Sequence, residues 1–368
     1  MSPGFLDINS LKKRFLPEPE RLGVAIEGRS VRIVRMDKGG EGRRRVAAFG
    51  ELDIDLWHAG PMDQQRFKSA VKQLGGGNVK VAVNMEHPTL RVRRMTFAKM
   101  PERDMMEAIR WNFREHVEGA IEQYVVGYTP LDVQAEGGKL VIMAYGVAQD
   151  AVKEYTNLMR SFGLKLVSLE PQATALLASF TEAGVLDDGR YHVCISFGDV
   201  LTQFTVMRGR SMLFSRPLAG IGTDSLIRLI MRNLNLEEAE AREALLLWME
   251  SNRGDAASAA EADEKSEAAV KMRRIETTMG HFLSQLVIEV QRSVDAFCIM
   301  YGIEHVSDIY VCGEGVMFPG IASHMQKTLG IETKIFNPLE ALLDEDRRTP
   351  EAMARSPLYA VAAGLAIP

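Results

Sequence analysis

Two weakly similar halves of mixed strand and helix mark this sequence as an α/β protein, and three observations predict that class. Each half opens on strand, glycine turn, strand, strand, once from Leu22 and again from Tyr191. Strands alternate with helices through the second half, the order that lays helices on both faces of mixed sheets. Of the 368 residues, 46% are hydrophobic and 25% charged, the balance of a soluble globular chain long enough for two or three domain-sized cores.

The first half reads in order. Leu22-Gly23-Val24-Ala25-Ile26 and residues 30–36 are strand, tight turn and strand, the second alternating apolar and polar as a half-buried strand does. Gly39-Gly40 marks a turn and 43–52 a third strand. Residues 66–74 form a short helix ended by Gly75-Gly76-Gly77. Strands follow at 79–83 and 90–97. Pro101 opens a helix, where its missing N–H costs nothing, and Met106, Ile109, Phe113 and Val117 fall at helical spacing as one core-facing stripe. Residues 124–134 and 139–148 pair as a hairpin around Glu136-Gly137-Gly138. Asp150 caps a helix that runs to 161 and stops at Gly163, 165–169 is a strand, and 171–181 is a small-residue helix.

After the turn Asp187-Asp188-Gly189, residues 191–198 form a strand entering a glycine turn, and 203–207 and 211–215 flank Arg208-Gly209-Arg210 as a hairpin. Residues 223–233 and 236–249 read as helices. The segment 251–270, rich in Ala, Glu, Asp and Ser, reads as a mobile insertion. Residues 272–301 make a long amphipathic helix with Met279, Phe282, Leu286, Val290, Val294 and Phe297 on one stripe. A strand at 307–312 runs into Gly313-Glu314-Gly315, then come a helix at 321–329, a strand at 333–335 and a small-residue closing helix at 357–366.

Composition removes several function classes. A net charge of -5 gives no strong pull toward nucleic acid or anionic lipid. Cys194, Cys298 and Cys312 form no CxxC pair, which fits a reducing compartment, with burial the default for Cys298. The N-terminus carries Lys12, Lys13 and Arg14 without a long apolar core, so it does not read as a secretory signal. No run approaches the ~20 apolar residues of a membrane span, so a soluble protein is expected. The segment 5–16 mixes apolar and basic residues and reads either as a loosely ordered terminus or as a surface-lying membrane contact. The seven histidines show no i, i+4 pair and no HExxH, so no metal site is expected. Arg91, Arg93 and Arg94 lack interleaved aromatics and read as a solvated strand face. Trp111 and Tyr124 are the aromatic candidates for a partner surface, where an extended peptide would lie beside a strand edge.

A set of longer motifs adds a resemblance. Val92-Arg93-Arg94-Met95 leads through Met100-Pro101 into Glu107-Ala108-Ile109-Arg110-Trp111, and Gly127-Tyr128 follows. Val147-Ala148, Ser161-Phe162-Gly163-Leu164 and Leu169-Glu170 come next, then Leu218-Ala219-Gly220-Ile221-Gly222 ahead of Asn235-Leu236-Glu237-Glu238-Ala239-Glu240. Ile309-Tyr310-Val311-Cys312-Gly313-Glu314-Gly315 with Phe318-Pro319-Gly320 closes the series. Each motif is modest. In this order and spacing, over nearly the whole chain, they resemble the actin-like superfold and within it the PilM family. The resemblance implies a two-lobed, duplicated ribonuclease H-like architecture. On that plan a tail spans 1–20 and a first lobe 21–188, with an inserted subdomain at about 79–148. A second lobe spans 189–345 with the insertion at about 251–270, and 346–368 returns to the first lobe.

By the same resemblance, a nucleotide, ATP with Mg²⁺, lies between two glycine-turn hairpins whose backbone N–H groups meet phosphates and whose preceding acids manage metal or water. The matching residues are Gly28, Arg29 and Ser30 in the first loop, and Gly198, Asp199 and Thr202 in the second. Gly220, Gly222, Gly313, Glu314, Gly315 and Phe318 match later glycine stretches, and Glu170 matches an acid between the halves. This sequence departs from the family pattern at three points. Ala25 and Ser196 stand where acids are expected, and Glu27 stands where a glycine is expected. Alanine cannot ligate Mg²⁺, and a carboxylate facing phosphate oxygens repels them, with Arg29 the nearest residue in sequence to offset that charge.

The implied function is a cytoplasmic scaffold at the inner face of the inner membrane. It would bind the N-terminal peptide of a PilN-like membrane protein in a type IV pilus-like machine, beside a motor ATPase or platform protein, with ATP hydrolysis weakened or lost. An FtsA-like ATPase or filament former, and a GspL-like type II secretion component, are the alternatives. The apolar, uncharged 357–368 stretch lacks the basic amphipathic helix of the first, and no membrane span follows as in the second.

Overall fold

The computed structural model describes residues 21–38, 44–75, 80–132, 136–252 and 267–367. The tail at 1–20, the Gly39-Gly40 turn, Gly76-Gly77 and most of the 251–270 insertion lie outside the described residues.

Two five-stranded sheets carry the molecule, and they repeat one strand order. The first is built from β1 (Leu22–Glu27), β2 (Ser30–Lys38), β3 (Arg44–Asp53), β4 (Lys80–Met85) and β8 (Lys165–Pro171). Its order is β3-β2-β1-β4-β8, antiparallel from β3 to β1 and parallel from β1 to β8. The second comprises β9 (His192–Phe197), β10 (Thr202–Arg208), β11 (Ser211–Leu218), β12 (Asp308–Gly313) and β13 (Thr333–Ile335), in the order β11-β10-β9-β12-β13. In each sheet three consecutive strands precede two that return in parallel beside the first, so the duplication seen in the sequence is a duplication of topology.

A third, three-stranded sheet has the order β5-β7-β6, with β5 (Arg91–Phe97), β6 (Tyr124–Pro130) and β7 (Leu140–Ala148) all antiparallel. Helix α2 (Glu102–Phe113) packs on it through Met105, Ile109 and Phe113, which share a core with Ile121, Tyr124, Val126, Ile142 and Ala144. The expected stripe is shifted by one residue at its start: Met105 is buried, while Met106 and Val117 are half-buried at the core's margin. A Cβ at Gly146 would strike the Phe113 ring, so glycine is what lets the helix lie close to the sheet.

The chain forms two compact units. One takes in the described residues of Met1–Arg190, Thr205–Ser215 and Asn337–Pro368, the other Tyr191–Phe204 and Arg216–Phe336. In the first unit, α1 (Pro61–Gly75), α3 (Gln149–Ser161) and the first sheet enclose a core of Leu22, Val24, Ile33, Phe67, Val81, Val83, Met159 and their neighbours. Helix α1 begins five residues before the expected start, at a Gly60-Pro61 step that reads as a helix opening. Asp150 does not cap α3: the N-cap is Ala148, and Asp150 pairs with Lys153 at 2.8 Å within the first turn. The short α9 (Pro338–Leu342) and α10 (Pro350–Arg355) precede α11 (Ala360–Ala366), whose seven residues are all buried. Helix α11 lies against β1 and α4 (Gln172–Glu182) at backbone range. A Cβ on Gly23 would meet the Ala362 carbonyl, and one on Gly364 the Ala175 carbonyl.

In the second unit, α5 (Thr223–Leu234) ends at Asn235, held left-handed at φ 55°. Helix α6 (Glu238–Ser251) opens on a capping box between Glu237 and Glu240. Helix α7 (Glu267–Tyr301) buries Met279, Phe282, Leu286, Val290, Val294 and Phe297, the expected stripe. Helix α8 (Ile321–Leu329) completes the unit. Cys194 and Cys312 are buried free thiols, and Cys298 is half-buried rather than sequestered. No helix among the described residues is long and apolar enough to cross a membrane.

Candidate functional site

The first-loop candidates sit on the β1–β2 hairpin of the first unit. The register closes at Glu27 opposite Ser30, leaving Gly28 and Arg29 as a two-residue turn with Gly28 at φ 59°. Arg29 is exposed, lies 3.9 Å from Asp53, and gives its carbonyl to the Ile54 N–H at 2.7 Å. Glu27 is 2% exposed. One carboxylate oxygen accepts from Arg32 Nη1 at 2.7 Å, the other from Gln172 Nε2 at 3.1 Å. The cation offsetting Glu27 is therefore Arg32, not Arg29.

Local geometry explains the pairing. Arg32 lies opposite Ala25 in the ladder, and Glu27 is two residues beyond Ala25 on the same face. Ala25 carries only a methyl group at the ladder position opposite Arg32. Arg32 is 1% exposed and also reaches Glu51 at 3.3 Å on β3. Glu51 in turn accepts from both Arg355 Nε, at 3.1 Å, and Arg355 Nη2 on α10. Hydrogen bonding to Glu51 raises the Arg355 pKa, and burial pushes the neighbouring Tyr359 phenol up to about 12. A buried ion pair is costly to desolvate and holds only with good geometry and further hydrogen bonds, which Gln172 and Glu51 supply here. Asn84 extends the local ladder past its last backbone pair, accepting from Ile26 N at 2.7 Å and donating to Ile26 O at 2.9 Å. Glu170, on β8, is held by Arg21 at 2.9 Å and by Ser168 Oγ at 2.8 Å.

The remaining candidates belong to the second unit. The β9–β10 connection folds back on itself, with Gly198 N–H donating to Leu201 O at 3.1 Å. Its carbonyls accept from the first turn of α5: Thr223 N to Gly198 O at 3.2 Å and Asp224 N to Asp199 O at 2.9 Å. Helix N-terminal N–H groups are natural anion donors, and these two are engaged by the loop. Gly222 is needed for the approach, since a Cβ there would lie 2.5 Å from Asp199 O. Ser196 and Asp199 are buried, and Gly220 sits at φ 73° facing open space. The Thr202 and Thr223 hydroxyls are buried beside this loop with no hydrogen-bond partner.

The late glycine stretch has a packing role. A Cβ on Gly313, at φ 81°, would strike the Phe197 backbone, and one on Gly315 would strike the Phe197 ring. Phe318 packs edge-on against Phe197 with ring centroids 5.5 Å apart, inside the core. The structure thus brings Gly198, Asp199, Gly222 and α5 together, and separately Gly313, Gly315 and Phe318 around Phe197. Within the first unit it joins Glu27, Arg32, Glu51, Gln172 and Arg355, of which only Glu27 drew notice from sequence. The first-loop residues do not fit a metal–phosphate group: no acid stands at Ala25, and Glu27 is consumed by Arg32. Two unpartnered hydroxyls, Thr202 and Thr223, flank the second loop, while its Gly198 amide and the Thr223 and Asp224 amides of α5 are engaged.

Of the surface candidates, Trp111 is 68% exposed on α2 with the Arg114 guanidinium 4.7 Å from its ring. Tyr124 is not available to a partner: it is 5% exposed and its hydroxyl donates to Glu118 O at 3.1 Å.

The repeated sheet order and the paired hairpins define an actin-like fold, and comparison with solved structures agrees. A PilM-PilN type IV pilus biogenesis complex matches at TM-score 0.76 and 23% identity, over 95% of this chain and 98% of that one. The ethanolamine utilization protein EutJ from Carboxydothermus hydrogenoformans matches at TM-score 0.49 and 14% identity, over 96% and 90%. MreB5 of Spiroplasma citri bound to ADP matches at TM-score 0.46 and 13% identity, over 94% and 95%. The family profile of the type IV pilus assembly protein PilM matches residues 257–368. A sequence search of curated proteins found no match.

Proposed function

We propose that this protein is a cytoplasmic docking component of a type IV pilus-like assembly machine. It would hold the N-terminal peptide of a PilN-like membrane protein, with ATP hydrolysis weakened or lost. The PilM profile over residues 257–368 carries this reading, and the full-length likeness of fold supports it. The inserted subdomain at about 79–148 is the proposed docking body. Both β5 and β6 are edges of its sheet, and an edge strand offers unpaired backbone groups to an extended peptide. Trp111 with Arg114 supplies the exposed aromatic–cation pair typical of interface anchors. Attachment to the membrane would run through the partner.

Calorimetric titration with the N-terminal peptide of the PilN-like protein from the same genome tests the proposal. Saturable binding is expected, and Trp111→Ala is expected to weaken it about tenfold or more, the loss of one anchor of roughly 1.4–2 kcal/mol, at unchanged thermal stability. Absence of peptide binding together with phosphate release or filaments would favour the FtsA-like ATPase instead.

A further inference from the structure

We propose that Arg32 is a built-in cation that replaces the metal end of a nucleotide site, so that the first unit is locked by its own ion pair and does not depend on Mg²⁺–nucleotide. Three observations converge on it. Ala25, fully buried, removes the acid that would direct a metal, and the register sets Arg32 opposite it on the same face. The positive charge that remains is committed internally, to Glu27 at 2.7 Å and Glu51 at 3.3 Å. The bonds fasten four parts of this unit to one another: the β1–β2 hairpin through Glu27, α4 through Gln172, β3 through Glu51, and α10 through Arg355.

The energetics favour a permanent arrangement. Glu27 and Arg32 are both nearly inaccessible to water, so separating them would leave the buried Glu27 carboxylate without a countercharge, whereas an exposed pair exchanges freely with solvent. A phosphate approaching the two-residue turn would meet the Glu27 carboxylate with its countercharge already used. A metal would find no open carboxylate, because both Glu27 oxygens accept hydrogen bonds. The lock is therefore a fixed feature of the folded chain, not a switch that ligand opens.

The docking arm of the test rests on the proposed function, and the stability arm stands without it. The full chain is stripped of nucleotide and its unfolding midpoint is measured with ATP plus Mg²⁺ and with ATP plus EDTA. No difference between the two is expected. A metal-dependent rise of roughly 3 °C or more, the size expected for a ligand near a hundred times its Kd, would overturn the proposal. Affinity for the PilN-like peptide is measured under both conditions, and equal values are expected. A metal-dependent gain of fivefold or more would overturn it, while a peptide that binds under neither condition removes the docking proposal and leaves the midpoint comparison intact. Glu27→Gln, which keeps shape and removes charge, is expected to lower the nucleotide-free midpoint by several degrees and to speed amide exchange across 22–35. An unchanged midpoint and exchange pattern would show that the pair holds nothing. If the variant fails to fold, the wild-type Mg²⁺ comparison still decides.

Discussion

The two hairpin loops that the sequence presents as counterparts are closed by different chemistry. The β1–β2 turn of the first unit is tied by side-chain charge, Glu27 to Arg32 with Gln172 and Glu51 completing the shell. The β9–β10 connection of the second unit is tied by backbone, Gly198 to Leu201 and the first amides of α5 to the loop carbonyls. A duplicated topology therefore does not preserve a duplicated site. Buried ion pairs and main-chain hydrogen bonds are two ways to close such a loop, and each unit uses one of them.

Three substitutions sharpen that contrast. The largest effect is expected at Arg32→Ala, which strands Glu27 without its cation inside the protein and should destabilise by about 3–5 kcal/mol in denaturant unfolding. A loss near zero would mean that the charge cluster is incidental. Next comes Gly315→Ala, where the new methyl meets the Phe197 ring. Overpacking of this kind costs about 1–3 kcal/mol, read as a lowered midpoint with an unchanged denaturant slope. The smallest is Thr202→Val, which removes a buried hydroxyl that has no partner and should leave stability unchanged or raise it by about 1 kcal/mol. A clear loss there would show that the hydroxyl is satisfied in solution and would weaken the picture of a loop closed by backbone alone.

Much of the architecture was legible because it rests on local signals. Glycine turns and period-2 alternation located β1, β2, β9 and β10, and the apolar stripe of α7 matched residue for residue. The sequence and structure part where the start signal lies upstream of the apolar stripe, as at Gly60-Pro61, and where an acid two residues past the N-cap resembles the cap itself, as at Asp150. Ala25 and Ser196 stand out in the sequence as departures from the pattern it resembles. The Glu27–Arg32 pair was within reach too, since a two-residue turn puts positions 27 and 32 on one face, two rungs apart. Gln172, Glu51 and Arg355 were not, because their approach depends on how distant strands and helices pack. Asn84 left a faint mark, a lone polar residue in the apolar run Val81-Ala82-Val83-Asn84-Met85. Gly313 and Gly315 suggest flexible backbone, and the residue they make room for, Phe197 with its backbone at Gly313 and its ring at Gly315, belongs to another strand more than a hundred residues away.

The close seating of α11 on β1 bears on the order in which the chain is made. Gly23 emerges from the ribosome more than three hundred residues ahead of Ala362 and Ala366, the groups that cover it. At roughly 5–20 residues per second, β1 waits on the order of 15–70 s for its cover. During that interval its apolar face is open to chaperones or to misassociation, while Arg216–Phe336 is already synthesised. Quality control of this protein should therefore hinge on α11, and a ribosome stalled shortly before residue 360 would hold a first unit that lacks this cover.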